Sequence, residues 1–385
     1  MKKTLAAVAV LGAFAGSALA ADVQLYGIVD TGVQYLSGDT DLAGHDSINK
    51  FSMESGMQSG SRFGFKGTED LGNGLTVGFV LENQFSSDTG ALNSSGLLFH
   101  REASLFLKGG FGKFAMGRMG SINGGVSSWG KYGVISAFGT SWGDYSAQAG
   151  TWAMGAGMWD NMIAYETPDF AGFKVFAQYG MGNQVDGNED KTKTGVENES
   201  SSDRYYAIGA SYANGPLNLY LAVDSINYAT YGVDGDANAD DSLTVTLGGN
   251  YDFEVVKLFA GAQYFDEIKL SNMKGAVNFD EADQGLATKM KGWSIGVSGS
   301  IPVAGGNVLV GAAYLDAEAA DSVDNGDEMT RWIVSAGYDY PLSKRTNVYG
   351  ILTYNQDSLD YADNTTLKDN DPYVFGVMVG LRHKF

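Results

Sequence analysis

Apolar and polar side chains alternate along most of this chain, and that alternation limits the fold more than any other feature. From Val23 to Tyr35, one set of alternate positions is largely apolar and the other carries Gln24, Asp30 and Gln34. The final residues, from Tyr373 to Phe385, repeat the pattern. A period of two residues is the side-chain period of a β-strand. It suits a soluble sheet with one wet face as well as a membrane barrel, so the number of strands and their connections must decide.

Sixteen segments have this strand pattern, an even number, and many are near the roughly 9 to 11 residues that a tilted strand needs to cross a membrane. No run of 18 apolar residues follows Ala20, so a spanning helix is not expected. A closed barrel is the other fold that satisfies every backbone group in lipid. The sequence therefore predicts an all-β fold, a 16-stranded antiparallel transmembrane β-barrel. The predicted strands are 23–35, 50–67, 75–85, 99–109, 112–118, 160–168, 172–180, 203–213, 216–228, 241–252, 254–266, 291–302, 306–316, 330–340, 345–356 and 372–385.

Tight and long connections alternate between these segments. Four of the five prolines lie in tight turns and the fifth, Pro372, opens the last strand, as expected because proline cannot donate to a strand ladder. The long connections hold most of the acidic residues. This alternation indicates that one rim of the barrel carries short turns and the other carries long external loops.

The first twenty residues have the features of a secretory signal. Lys2 and Lys3 precede a short apolar stretch, and Ala18-Leu19-Ala20 forms a small-x-small cleavage pattern. We expect residues 1–20 to be a cleaved signal peptide and residues 21–385 to form the barrel. An uncleaved anchor is the alternative, although the apolar stretch is too short for a spanning helix.

Charge and chemistry exclude several function classes. Without Lys2 and Lys3, 23 of the 25 basic residues remain against 45 acidic ones, a formal charge of −22, which argues against nucleic acid as a partner. The chain has no cysteine and only three histidines, so we expect no disulfide, no catalytic residue, no cofactor and no metal centre.

The acidic run 234–245 superficially resembles a calcium loop. It lacks the glycine and the final glutamate of such a loop, which leaves at most weak divalent-cation binding.

One connection, residues 119–159, is unusually long. It shows little alternation and carries four tryptophans among many glycines and serines. Compact folds seldom contain so long a loop without a function. In a barrel of about sixteen strands the lumen is wide enough for water, so an inward-folded loop would narrow it. The alternatives are an ordinary exposed loop or a contact between subunits.

Four motifs resemble the β-proteobacterial type of Gram-negative general porin. They are Asp22-Val-Gln-Leu-Tyr-Gly-Ile-Val-Asp30, Ser61-Arg-Phe-Gly-Phe-Lys-Gly-Thr-Glu-Asp-Leu-Gly72, Gly109-Gly-Phe-Gly112 leading to Gly117-Arg118, and Val379-Gly-Leu-Arg-His-Lys-Phe385. They span both ends of the mature chain. The resemblance implies a sixteen-stranded barrel, a homotrimer, and a long third external loop folded into the pore.

The resemblance also implies roles for individual residues. Arg62, Arg101 and Arg118 match the arginines that form a basic ladder on the barrel wall facing the loop. Phe385 matches the C-terminal aromatic residue read by the barrel-assembly machinery. The family's loop carboxylates have no motif match, and only Asp144 lies near the middle of residues 119–159.

Strand parity adds to this set. It puts Arg62 and Lys66 on the wet face of one strand and Glu82 on the wet face of the next. The expected pore-lining and selectivity residues are therefore Arg62, Lys66, Glu82, Arg101, Arg118 and Asp144.

The expected function is an outer-membrane channel for passive diffusion of ions and small hydrophilic solutes. Its expected partners are outer-membrane lipid and lipopolysaccharide, two further copies of the chain, and the barrel-assembly machinery. Two alternatives stay open. One is a channel selective for sugars or anions, with Trp129, Trp142 and Trp152 as a stacking surface. The other is a plugged structural or adhesive barrel.

Overall fold

The computed structural model describes most of the mature chain. It covers residues 22–39, 47–94, 96–139, 142, 150–153, 157–182, 196–230, 240–269, 289–323, 326–362 and 369–385. The expected signal peptide, Asp144, and residues 234–239 of the acidic run 234–245 lie outside these residues. No helix in the described part of the chain has the length and apolar character needed to cross a membrane.

The described residues form seventeen strand segments and one short 3₁₀ helix, Tyr132–Val134. The segments are β1 (Gln24–Asp39), β2 (Ile48–Ser55), β3 (Arg62–Gly72), β4 (Leu75–Gln84), β5 (Glu102–Gly109), β6 (Gly112–Gly120), β7 (Met158–Glu166), β8 (Phe173–Gly180), β9 (Arg204–Asn214), β10 (Leu217–Asn227), β11 (Leu243–Asp252), β12 (Lys257–Lys269), β13 (Lys289–Val303), β14 (Gly306–Ala319), β15 (Glu328–Pro341), β16 (Thr346–Asp360) and β17 (Tyr373–Lys384).

These segments close into a sixteen-stranded antiparallel barrel. Apart from β2 and β3, consecutive segments pair with each other, and β1 pairs with β17 from Ile28 opposite Lys384 to Asp39 opposite Tyr373. Segments β2 and β3 share one strand position, because both pair with β1, β2 along its second half and β3 along its first. The predicted sixteen-stranded barrel is confirmed.

The second predicted strand, 50–67, is wrong in its middle. Residues 56–61, which we call the inner turn, connect β2 to β3 and leave the ladder that both segments form with β1. Gly56 has a φ of 73°, a conformation that favours glycine. The backbone N–H groups of Gln58 and Ser59 donate to the Asp30 carboxylate, at 2.9 and 2.7 Å, instead of to a neighbouring strand. The interruption therefore follows from a buried carboxylate that captures the backbone.

The strands have an exposed apolar face and a buried, more polar face. On β12, Leu258 and Tyr264 are exposed whereas Gln263 and Phe265 are buried. On β1, Leu25 and Val29 are exposed while Asp30 is fully buried. An apolar exposed face is what lipid requires, so the buried face is the inner wall of the barrel. The predicted parity of the first strand is confirmed.

Short turns and long connections lie at opposite rims. The β3–β4 turn is Asn73–Gly74, with φ values of 52° and 75°, and the β13–β14 turn is Ala304–Gly305, with 50° and 81°. Two successive residues with positive φ form the tight turns that match strand twist. The other rim carries the long connections, including residues 121–157 between β6 and β7.

Candidate functional site

A cavity of about 690 Å³ lies inside the barrel between the inner wall and the long connection. The wall contributes the inner turn together with Arg62, Gln84, Arg101 and Arg382. The connection contributes Gly124, Gly125 and Val126, then Ala137 to Gly139 and Trp142. One side of this cavity is therefore basic and the other is small and aromatic.

Arg62 and Arg101 share a single carboxylate within this cavity wall. Glu82 Oε1 lies 2.6 Å from Nε of Arg101 and 3.7 Å from Nη1 of Arg62, and its Oε2 accepts a hydrogen bond from Tyr26 at 3.0 Å. Arg101 also donates to Gln84 at 2.5 Å. The parity of β3 and β4 brings these side chains to one place, because Arg62 and Gln84 are register partners. Two guanidinium groups on one carboxylate leave an excess of positive charge.

Arg382 reaches the same cavity from β17. Its Nη1 donates to Ser59 Oγ at 2.8 Å and its Nε donates to Asn347 Oδ1 at 2.9 Å. Both acceptors are neutral, so these contacts orient the guanidinium, and the buried Asp30 carboxylate interacts with it electrostatically. Because arginine stays protonated at any working pH, this charge is permanent.

The inner turn is held against β1 and β16. Asp30 is fully buried, and its second carboxylate oxygen accepts the hydroxyl of Tyr349 at 2.5 Å. Gln58 of the turn accepts from Asn347 at 2.8 Å. A buried carboxylate with several donors is strongly fixed, since any donor that is lost leaves part of its charge uncompensated. Asp30 and Tyr349 thereby position Ser59 and Gly60 at the cavity.

The connection between β6 and β7 contacts inner-wall side chains around most of the barrel. Ile122 N donates to Gln178 of β8 at 2.8 Å, and Ala137 N donates to Ser298 of β13 at 2.9 Å. Further backbone contacts reach β5, β11, β12, β15 and the inner turn. An exposed loop would satisfy its backbone groups with water, whereas the described parts of this connection satisfy several of theirs with side chains of the inner wall.

Aromatic side chains of the connection fill much of the space against the wall. Trp129 and Trp152 are each 1% exposed, and Tyr132 meets Trp152 edge-on with ring centroids 5.8 Å apart. Trp142 packs against Phe138 at 5.9 Å and against Tyr349 at 5.4 Å. Of the three tryptophans expected as a stacking surface, only Trp142 lines the cavity.

The other expected site residues lie apart from this cavity. Lys66 is exposed, with Nζ 5.1 Å from the centre of the Tyr26 ring. Arg118 pairs with Asp160 at 2.5 Å and donates to the His100 carbonyl at 2.7 Å. The backbone of Phe385 closes the barrel by pairing with Gly27 in both directions at 3.1 Å. Asp144 lies outside the described residues.

Sequence reasoning missed two features of the cavity. Arg382, which lies three residues from the end of the chain, was not among the expected pore-lining residues but lines the cavity. The inner turn had a visible signal in Gly56 and Gly60, which flank a segment without apolar alternation. Among the described residues, no three acidic or histidine side chains are grouped as metal ligands.

Comparison with known proteins identifies the family. The family model described as Gram-negative porin matches residues 6–360. An outer membrane porin protein of Bordetella pertussis is 34% identical, and outer membrane porin protein 32 of Delftia acidovorans is 33% identical, each over 100% of both chains. The solved anion-selective porin from Comamonas acidovorans is 27% identical, with a TM-score of 0.62 over 95% of this chain and 100% of that one. This chain belongs to the Gram-negative porins, the channel-forming β-barrels of the outer membrane.

Proposed function

We propose that this porin conducts ions and small hydrophilic solutes by passive diffusion and favours anions at the cavity beside Arg62, Arg101 and Arg382. One observation carries the preference for anions. Three permanent positive charges line the cavity, and Glu82 is the carboxylate paired with two of them. Low-dielectric walls weaken screening inside a narrow channel, so this excess charge acts strongly on passing ions. The solved porin from Comamonas acidovorans is named as anion-selective, which agrees with this proposal.

The constriction in this proposal is the long connection between β6 and β7. Its backbone contacts with β8, β11, β13 and β15 support an inward path across the lumen. Solutes would then pass between Trp142 and Phe138 on one side and the arginines on the other. Asp144 would add negative charge to the connection, and Arg118 and Lys66 would act on ions outside the narrowest part.

Assembly follows the same family pattern in this proposal. Residues 1–20 direct export and are removed, and residues 21–385 form the barrel. The barrel-assembly machinery reads Phe385, whose side chain is 45% exposed and thus accessible. Three copies associate in the outer membrane, in contact with lipid and lipopolysaccharide. No catalytic step is proposed.

The test is a series of charge-removing variants in planar bilayers under a salt gradient. Arg62→Gln and Arg382→Gln each remove one positive charge from the cavity, so each should shift the reversal potential towards cations, and Arg62→Glu should shift it further. Arg204→Gln is the matched control. It removes the same charge from β9, where the side chain contacts Asn227 away from the cavity. An unchanged reversal potential in all three cavity variants would remove these arginines from the selectivity site.

Sugar selectivity is the weaker candidate. It rests on Phe138 and Trp142, the aromatic residues of the connection that line the cavity. A stacking surface needs accessible ring faces, whereas Phe138 and Trp142, like Trp129 and Trp152, are at most 5% exposed, which weakens this candidate. Block of the ion current by a neutral sugar at micromolar to millimolar concentration would favour this candidate.

The same recordings address two further points. Absence of any current would favour a plugged barrel. Current steps in groups of three would support the trimer.

A further inference from the structure

Three lysines of the inner wall and one lysine of the long connection gather near the short-turn rim, away from the arginine cavity. Lys108 and Lys113 flank the β5–β6 turn, Lys174 follows the β7–β8 turn, and Lys131 comes from the long connection. We call these four residues the lysine cluster. Lys108 and Lys113 are register partners, so two like charges stand directly opposite each other on the same face. Such a pair destabilises a sheet unless something neutralises it.

Aromatic rings hold two of the ammonium groups in place. Lys113 Nζ lies 4.6 Å from the centre of the Phe106 ring and 4.7 Å from the Trp129 ring. Lys131 Nζ lies 4.7 Å from the Phe176 ring. A ring face attracts a cation and restricts its position, but it carries no net charge. These contacts therefore orient the two lysines without supplying a negative charge to balance them.

The carboxylates nearby do not balance the cluster. Glu166 is the register partner of Lys113 but forms its ion pair with Lys174, at 2.9 Å, and Glu102 accepts hydrogen bonds from Ser104 and Ser128. In the part of the chain that the structure describes, neither Lys113 nor Lys131 has a carboxylate within salt-bridge distance. Burial lowers the pKa of Lys131; Glu166 opposes this shift, whereas Lys174 and Lys113 add to it. An anion bound here would relieve both the desolvation and the repulsion.

We propose that the lysine cluster is a second anion-binding site, separate from the arginine cavity, and that it takes multivalent oxyanions such as phosphates. This inference rests on the proposed function only in requiring an open channel.

The chemistry of the cluster favours phosphate over a monovalent ion. Each ammonium group is a compact charge with three donors, and lysine binds phosphate oxygens in this way. In this proposal Lys113 and Lys131, which act on each other electrostatically, donate to different oxygens of one phosphate, and Lys174 remains partly engaged by Glu166. A chloride ion offers one centre and one charge, so it gains less from several donors and stays mobile.

Current block by inorganic phosphate tests the proposal. Phosphate added on the short-turn side should reduce the chloride current of the full-length mature porin in a concentration-dependent way. The double variant Lys113→Gln, Lys131→Gln should weaken this block by about three- to tenfold, the range for losing two partly screened charge contacts. Lys257→Gln is the matched control, because Lys257 is also an inner-wall lysine near the short-turn rim and lies over an aromatic ring, that of Phe259, at 5.3 Å.

Each outcome decides one question. Weaker block in the double variant with an unchanged control supports the lysine cluster. Equal block in wild type and double variant overturns it, and so does equal weakening in the control, which would mean a diffuse field without a site. Open conductance in potassium chloride reports correct folding of each variant. Arg382→Gln should alter the reversal potential and leave phosphate block unchanged, which separates failure of this site from failure of the selectivity proposal.

Discussion

Arg331 and Asp357 form a two-pronged ion pair inside the barrel, with Nε to Oδ1 and Nη2 to Oδ2 both at 2.6 Å and neither side chain exposed. Arg331 also donates to the Gly150 carbonyl of the long connection at 2.7 Å. The pair lies between adjacent strands β15 and β16 and holds a backbone segment that is 181 residues away in sequence. It therefore connects the barrel wall to the connection.

Removing one partner of this pair should destabilise the porin and loosen the connection. Arg331→Met leaves the Asp357 carboxylate buried without its partner, a change that typically costs about 3 to 5 kcal/mol. We expect a lower unfolding temperature and larger fluctuations of the open-channel current. Lys291→Gln is the control, since Lys291 pairs with Asp321 at an exposed position on the outer face. Equal loss of stability in both variants would contradict a special role for the buried pair.

Weakening the attachment of the inner turn should change conductance. Tyr349→Phe removes one donor from the buried Asp30, at a cost of about 1 to 3 kcal/mol. Asp30→Ala removes all three contacts and should release Ser59, and with it one contact of Arg382. We expect a broader distribution of single-channel conductance, small for Tyr349→Phe and larger for Asp30→Ala. Asp252→Ala, at an exposed turn, should behave as wild type; the reverse order would show that Asp30 does not hold the turn.

A larger side chain at Gly261 should displace the connection. A Cβ there would lie 3.0 Å from Trp152 Cη2 and 3.3 Å from Ile135 Cβ, both on the connection. Gly261→Leu should therefore push this part of the connection away from β12, at about 1 to 3 kcal/mol, and alter the conductance. Adding Trp152→Ala should restore space and return the conductance towards wild type. Gly350→Leu is the control, because its Cβ meets atoms only at 3.7 Å or beyond. No recovery in the double variant would argue against direct contact.

Much of the barrel could be predicted from the sequence because lipid and water impose opposite demands on alternate residues. The exposed Leu25 and the buried Asp30 follow directly from that alternation. The short turns were visible from glycine, proline and asparagine. The break after Ser55 was not predicted, because it depends on the capture of the Gln58 and Ser59 N–H groups by Asp30, a contact about 28 residues back in the chain.

The site was harder to predict than the barrel. Parity indicated that Arg62 and Glu82 lie on wet faces, and they do meet at 3.7 Å. Arg382 enters the same cavity only because the barrel closes β17 against β1, which puts it 2.8 Å from Ser59, 323 residues away. The placement of the described parts of residues 119–159 depends on equally distant partners such as Arg331, which contacts Gly150. Local pattern identifies such a connection by its length and its lack of alternation, and it cannot reveal what the connection touches.

The most direct test of an open, anion-favouring channel is the reversal potential of the purified mature porin in a planar bilayer under a potassium chloride gradient. The three arginines at the cavity predict discrete conductance steps and a potential of the sign expected when chloride crosses more readily than potassium. A potential of the opposite sign would contradict the proposed selectivity, and absence of conductance steps would contradict an open pore.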